Sequence, residues 1–465
     1  MIQLRHEDRS LWDGVWAEEV GDLWEPWMRA ADRLLEDDEL LAQVFEAQGR
    51  RWKKSRTRGR RQTPAEVVLR LMLLKHARNW SYEVLEREVR ANLVYREFTR
   101  VGTKKVPDAK TLGRLGQVIG PEVVGQLHTR VVQLAVEKRV IHGRRMRVDT
   151  TVVETNIHYP TDSSLRGDGA RVLTRLSKRI AQAVRGLKTK VRDRMRTVKR
   201  KVVAIALAAR QKGAAGEEKR KKIYRGLLSA VRKVRNQAQR VQEELQEVSA
   251  WKRRQVKKAA QELDTMIQRV TQVIKQTHTR VFKGNTKSPD KLVSVFEPHT
   301  EIIRKGQASK PTEFGKMLKI QEAENQIVTD YQVFEEKPAD TALLVDAVAK
   351  HEELLGRAPE LVAADAGFYT QANEKDVEQR GVPRISIPNR HTQSEARKKH
   401  QKQRWFKNGQ RWRTGCEGRI SVLKRRHGLD RCLYRGQEGM KRWVGWGVIA
   451  DNLIHIGGWI AAKEN

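Results

Sequence analysis

The sequence predicts a mixed α/β protein with a central sheet, a helical N-terminal region and a long basic helical insertion. Three observations lead there. MRVDTTVV (146–153) alternates its apolar residues with the two-residue period of a strand. A proline-free stretch of helical character, 165–280, then interrupts the strand text. Beyond it, strand-like and helix-like segments alternate to the C-terminus, the pattern of a sheet covered by helices.

The chain has 465 residues, 94 Lys and Arg against 57 Asp and Glu, and a net charge of +37. At roughly 150 residues per domain this length suggests about three domains. Such a charge needs a polyanion or a reason to do without one; nucleic acid is favoured, because each phosphate contacted releases counterions, over a ribosome-like packing protein or an anionic-membrane binder. MIQLRHEDRS carries no apolar secretory segment. Trp443 to Ala462 is the most apolar late stretch, but Asp451, Asn452 and His455 mark it as a buried helix rather than a membrane span. Two cysteines, Cys416 and Cys432, cannot build a disulfide framework, which points to a reducing cytoplasm.

The elements follow in order. Residues 17–48 hold ten acids against Arg29 and Arg33, and RRWKKSRTRGRR (50–61) holds eight cations. That arm, with Arg58 and Arg60 at its core, is a candidate for lying along DNA or in a minor groove. Thr63, Pro64 and Glu66 predict a capped helix start, followed by Val67, Val68, Leu71 and Leu74 at helical spacing. A second helix follows Ser81 with Leu85, Val89 and Leu93 inward, and a third follows Pro107-Asp108 with Leu112, Leu115 and Val118. Three short helices beside a basic arm fit either a helix-turn-helix-like DNA-binding module or a plain bundle.

The strand at 146–153 puts Asp149 opposite Val148 and Val152, on a face that is either wet or functional. Within 166–283 the sequence carries 34 cations and 9 acids. A break at Gly213-Ala214-Ala215-Gly216 predicts two or three long helices there. Val202, Ile205, Leu207, Ile223, Leu227, Val231 and Val241 form their narrow apolar stripe. One sign of charge dominates, which favours a DNA-tracking arm over a solvated spacer. Strand text resumes after Ser288-Pro289: 292–299, 314–325 and 326–335, with Glu324-Asn325 as the turn between the last two. A helix after Pro338 (Ala342, Val345, Val348, Ala349, Leu355), a strand at 360–368 ending on Asp365, a helix at 371–380, a strand at 383–388 and a helix from Arg411 to His427 complete the order.

No Walker loop, dinucleotide fingerprint, HExxH, CxxC or GxSxG appears. The spacing of Cys416, His427, Cys432 and His455 matches no common zinc site. What remains is carboxylate chemistry. Asp149, Asp365 and Glu417 lie on separate elements that can converge at the end of a sheet. Oxygen ligands suit two Mg²⁺ ions, with Mn²⁺ as a substitute, about 4 Å apart for phosphodiester chemistry. Arg413, Glu417, Ser421 and Lys424 share one helical face. Trp405 and Trp412 precede or open that face and either stack a flipped base or pack on the sheet. His158 and Asp162 could support the site or simply end a strand.

RVDTTVVETN, the strand-end DAGF and the pattern Arg-x₃-Glu-x₆-Lys resemble the DDE transposases of bacterial insertion sequences, as does KPTEFGKMLKIQEAENQIVTDYQVF. The resemblance runs from about residue 63 to the C-terminus and is nearest to the group with a long helical insert after the first Asp. It implies an RNase H-like core in two parts, 141–164 and 286–465, a helical DNA-binding region at 1–140 and an inserted helical domain at 165–285. It implies that Asp149, Asp365 and Glu417 are catalytic and hold metal, and that Arg413 and Lys424 contact transposon-end phosphates. It implies cleavage at element ends and transfer of the 3′-hydroxyl into target DNA, by a homodimer or larger assembly on double-stranded DNA in the bacterial cytoplasm, at the nucleoid when bound. A Tyr often stands three residues before the Arg, where this chain has Gln410. The same metals activate water or a hydroxyl. A nuclease that does not join DNA, or a domesticated DNA-binding protein, are the alternatives.

Overall fold

The computed structural model describes residues 1–7, 10–50, 54–184, 186–286, 291–304 and 311–464, without the side chains of 250–252 and 255. The chain forms two compact units, Met1–Asn156 with Ile303–Asn465, and Ile157–Ile302.

The first unit opens with eight helices: α1 (Leu11–Glu19), α2 (Pro26–Leu34), α3 (Asp38–Gly49), α4 (Ala65–Ala77), α5 (Tyr82–Ala91), α6 (Leu93–Phe98), α7 (Ala109–Val118) and α8 (Pro121–Glu137). α4 is buried on every side from Ala65 to His76. Its expected cap is not used. Pro64 is the N-cap residue with no side-chain bond. Glu66 accepts from buried Arg70 at 3.1 Å instead, because a buried guanidinium must be paired. Ser81 and Asp108 do cap α5 and α7. Leu93 is 37% exposed, contrary to expectation, because Asn92 caps a separate short helix there. Of the basic arm, residues 51–53 lie outside the described residues, and Arg58 and Arg60 are exposed.

The first long strand is β1 (Arg145–Thr155). Among its described residues the second unit has four helices, α9 (Asp162–Ala183), α10 (Met195–Ala208), α11 (Ala214–Glu247) and α12 (Ala250–Phe282), where two or three were expected. The break at Gly213 is real, at φ 87°. Leu207 faces solvent, so it does not belong to the stripe. Residues 292–299 form turns, not a strand. The Gln276 side chain accepts from Leu292 N–H at 3.0 Å and donates to its carbonyl at 2.8 Å, supplying the partners a neighbouring strand would give. The preceding Ser288-Pro289 lies outside the described residues.

Among the described residues the sheet has seven strands, adding β2 (Glu301–Arg304), β3 (Thr312–Glu322), β4 (Val328–Val333), β5 (Leu361–Ala363), β6 (Ile385–Ser386) and β7 (Arg431–Cys432). Its path is β2-β3-β1-β5-β6, with β4 on β3 and β7 on β1. β3 runs antiparallel to β1 with Asp149 opposite Ile320, and β4 runs antiparallel to β3. β5 runs parallel to β1 with Arg147 opposite Ala363, and β6 parallel to β5. Asn325 and Gln326 take left-handed backbone in the β3–β4 turn, where the turn signal stood.

Five helices complete the unit: α13 (Leu344–Leu355), α14 (Gln371–Gln379), α15 (Glu395–Lys402), α16 (Arg404–Arg426) and α17 (Gly436–Glu464). α13 buries Leu344, Ala347, Val348 and His351 rather than Ala342, Val345 and Ala349. α16 starts at Arg404, not Arg411. α17 is buried through most of its length, as expected. Its polar residues are used: Asp451 pairs with Arg419 of α16 at 2.9 Å, and Asn452 accepts from Val328 N–H at 2.9 Å. No described helix is long and apolar enough to cross a membrane.

Candidate active site

β1 carries Asp149 because period-two alternation sends Val148 and Val152 to one face and Arg147, Asp149 and Thr151 to the other. That second face is not wet. Arg147 and Thr151 are buried, and α16 packs against the strand. Arg147 fixes the approach. It donates to Glu322 of β3 at 2.9 Å and to the Trp412 carbonyl of α16, and lies 4.9 Å from the Trp412 ring centroid. A side chain on Gly415 would collide with the Arg147 guanidinium, so glycine permits the close contact. Trp412 is thereby a packing residue, and Trp405 packs edge-on against Phe406.

The contact brings α16 over the middle of β1. Arg413 Nη1 lies 3.6 Å from Asp149 Oδ2, and Arg413 Nη2 donates to Glu417 Oε1 at 2.8 Å. One guanidinium thus links the strand carboxylate to the helix carboxylate. The strand expected over 360–368 is only β5, and Asp365 lies two residues past its end, where it accepts from Gly367 N–H at 2.8 Å and caps the turn Ala366–Phe368. Burial raises the Asp149 pKa to about 6; the Thr150 amide, at 2.7 Å, and Arg413 hold it down, while the charges of Asp365 and Glu417 push it up further. Asp365 and Glu417 therefore both lie close enough to act on the charge of Asp149. Lys424 is half-buried two turns further along α16.

Two positioning contacts were not legible in the sequence. Gln410 donates to the Ala364 carbonyl at 3.2 Å and to the Ser386 carbonyl, tying α16 to the ends of β5 and β6 beside Asp365. The residue that departs from the Tyr pattern thus has a structural task. Asp340 accepts from Thr150 Oγ1 at 3.1 Å. A side chain on Gly367 would sit 3.1 Å from Asp365 Oδ1 and 3.3 Å from Asp340 Oδ2, so both acids flank that glycine. Nothing in the spacing of Asp340 signals this.

Among the described residues no three carboxylate, imidazole or thiol groups are gathered tightly enough to hold a metal ion. The donor chemistry nevertheless fits a hard divalent cation, since Asp149, Asp365 and Glu417 offer only oxygen ligands. Glu417 is 58% exposed at its side chain and is bound to Arg413 at 2.8 Å. Cys416, His427, Cys432 and His455 do not form a metal site; His427 and His455 both lie against Asp451. His158 and Asp162 belong to the second unit, paired with Asp168 and Arg280.

Two grooves in the first unit are basic. One, of about 660 Å³, borders Arg413 and is lined among others by Arg390, Lys398, Lys407 and Arg411. The other, also about 660 Å³, gathers Arg60, Arg61, Lys104, Lys105 and Arg114 between the arm and the start of α7. Arg58 does not line it.

Two family models match the chain. Residues 27–117 match a transposase domain (DUF772), which covers α2 to α7, and residues 375–456 match a transposase DDE domain, which covers α16 and most of α17. Both matches support a DDE transposase of the insertion-sequence type. No curated protein and no solved structure matches it.

Proposed function

We propose that this transposase cleaves DNA at the ends of its element and joins the freed 3′-hydroxyl to target DNA, on an RNase H-like core. The observation that carries the reading is the Arg413 bridge between Asp149 in mid-strand and Glu417 on α16, with Asp365 just past the end of the adjacent strand. The order β4-β3-β1-β5-β6, antiparallel then parallel, supports such a core.

Asp149, Asp365 and Glu417 would hold two Mg²⁺ ions, with Mn²⁺ as a substitute. Bound there, the metal would supply activation of the attacking oxygen and charge neutralisation at the phosphodiester. The chain's own residues do the rest. Thr150 N–H fixes the Asp149 carboxylate, and Gly367 N–H fixes Asp365. Arg413 and the basic groove beside it hold backbone phosphates, with Lys424 further along the helix face. The groove at Arg60 and Lys104 takes duplex DNA at the N-terminal helices, and Arg58 is an exposed cation of the same arm. Two DNA ends require a homodimer or larger assembly.

The test is strand cleavage and joining on a plasmid that bears the element's ends. Asp149→Asn, Asp365→Asn and Glu417→Gln should each lose both steps by at least about a hundredfold while DNA binding survives, and EDTA should do the same. Cleavage without joining would make the protein a nuclease. Wild type that only binds, or variants that stay active, would leave a DNA-binding protein.

A further inference from the structure

The second unit carries a charge pattern that its own stability does not explain. From Lys219 to Gln242 the sequence has nine cations and no acid. These residues lie within α11, a single helix of 34 residues. Leu227, Val231, Val234, Ala238 and Val241 bury one face of it. Opposite that face, Lys222, Arg225, Arg232, Lys233 and Arg240 are exposed, with Ser229 and Asn236 among them. At 100° per residue these seven positions fall within an arc of about 100°. From Lys222 to Arg240 the ridge is about 27 Å long. Glu218 and Glu243 bound it at the two ends.

Among the described residues none of the five cations is in an ion pair, whereas neighbouring Lys221, off the ridge, pairs with Glu217. A helix that only needs solubility alternates its charges, because like charges three and four residues apart destabilise it. This face instead carries five cations and no acid along five turns, with Lys222 and Arg225 three residues apart. All seven side chains can donate hydrogen bonds, and five are fixed cations.

We propose that the outer face of α11 binds the phosphate backbone of duplex DNA through Lys222, Arg225, Arg232, Lys233 and Arg240. Its length matches about eight base pairs at 3.4 Å each, and its rigidity presets the spacing of the cations. The inference rests on the reading above only in that DNA is the partner. It does not depend on the three carboxylates.

The experiment uses the full chain in EDTA, so that no cleavage enters, with a 30-base-pair fluorescent duplex. Anisotropy titrations run from 50 to 200 mM KCl. The ridge variant combines Lys222→Gln, Arg225→Gln, Arg232→Gln, Lys233→Gln and Arg240→Gln. A control variant removes equal charge elsewhere in the unit by changing Arg171, Lys178, Arg253, Lys257 and Lys258 to Gln. Each lost phosphate contact lowers the slope of log K against log salt by about 0.9. The ridge variant should be shallower by roughly 4–5 and bind at least about tenfold more weakly at 50 mM, while the control stays within about 1 of wild type. Circular dichroism should show both variants folded, since Gln suits an exposed helix. Equal slopes for ridge and wild type, or equal losses in both variants, would overturn the proposal. So would stronger retention on anionic phospholipid vesicles than on duplex at the same salt. Failure of the carboxylate variants in the cleavage assay would leave these titrations unaffected.

Discussion

Asp149→Asn should make the first unit more stable at neutral pH in EDTA. The Asp149 side chain is 15% exposed, and burial among Asp365 and Glu417 raises its pKa from 3.8 to about 6 even with Arg413 3.6 Å away. A carboxyl whose folded pKa exceeds its unfolded value binds more protons when folded. Stability then falls as pH rises from about 4 to about 6, and the full penalty persists above that. Two pKa units are worth about 3 kcal/mol. Asn mimics the protonated form and still accepts the Thr150 amide. The unit holds about 320 residues, so its unfolding entropy converts the gain to roughly 4–5 °C. The assay is thermal unfolding by tryptophan fluorescence in EDTA, at pH 4 and pH 7.5. Eleven of the twelve tryptophans, all but Trp251, lie in the first unit's sequence, so this probe follows that unit. The variant should match wild type at pH 4 and exceed it at pH 7.5. An Asn variant that melts lower at pH 7.5, or a gain equal at both pH values, would refute the electrostatic account and with it the idea that this strand position is kept acidic at a cost in stability.

Two further outcomes follow from buried charges away from the site. Lys75 of α4 is 2% exposed, with the rings of Tyr82, Tyr434 and Trp443 at 5.0, 5.1 and 4.8 Å, and burial lowers its pKa to about 7. The unfolded chain binds the extra proton between pH 7 and 10.5, so wild-type melting temperature should climb with pH over that window and Lys75→Met should flatten the climb. Asp451→Ala strands Arg419, which is 3% exposed, and should cost about 3–5 kcal/mol, read as a loss of denaturant midpoint, while Asp451→Asn should cost less.

Local signals were legible where they are short-range. Ser81 and Asp108 cap helices because a side-chain oxygen meets an amide three residues on, and period-two alternation marks β1 whatever lies beside it. The signals failed where a distant group competed. Glu66 left its capping role for Arg70, and Leu292 found Gln276 instead of a strand. The start of α16 was hidden because Arg404, Lys407, Asn408 and Gln410 dominate its first turns, and the burial of Phe406 with the contacts of Gly409 and Gln410 to β5 and β6 explains a helix there.

The sequence by itself determined the chemistry available to this protein: the acids Asp149, Asp365 and Glu417, the cations that accompany them, the excess positive charge and the alternation of strand and helix text that marks a mixed α/β chain. All of these are properties of residue type and spacing along the chain. Tertiary structure alone decided how those groups meet. Arg413 reaching across to Asp149, Arg147 locking β1 to α16, Gln410 tying α16 to the strand ends and Asp340 arriving beside Gly367 all join residues far apart in sequence. Such contacts depend on sheet order and helix packing, which no local period encodes.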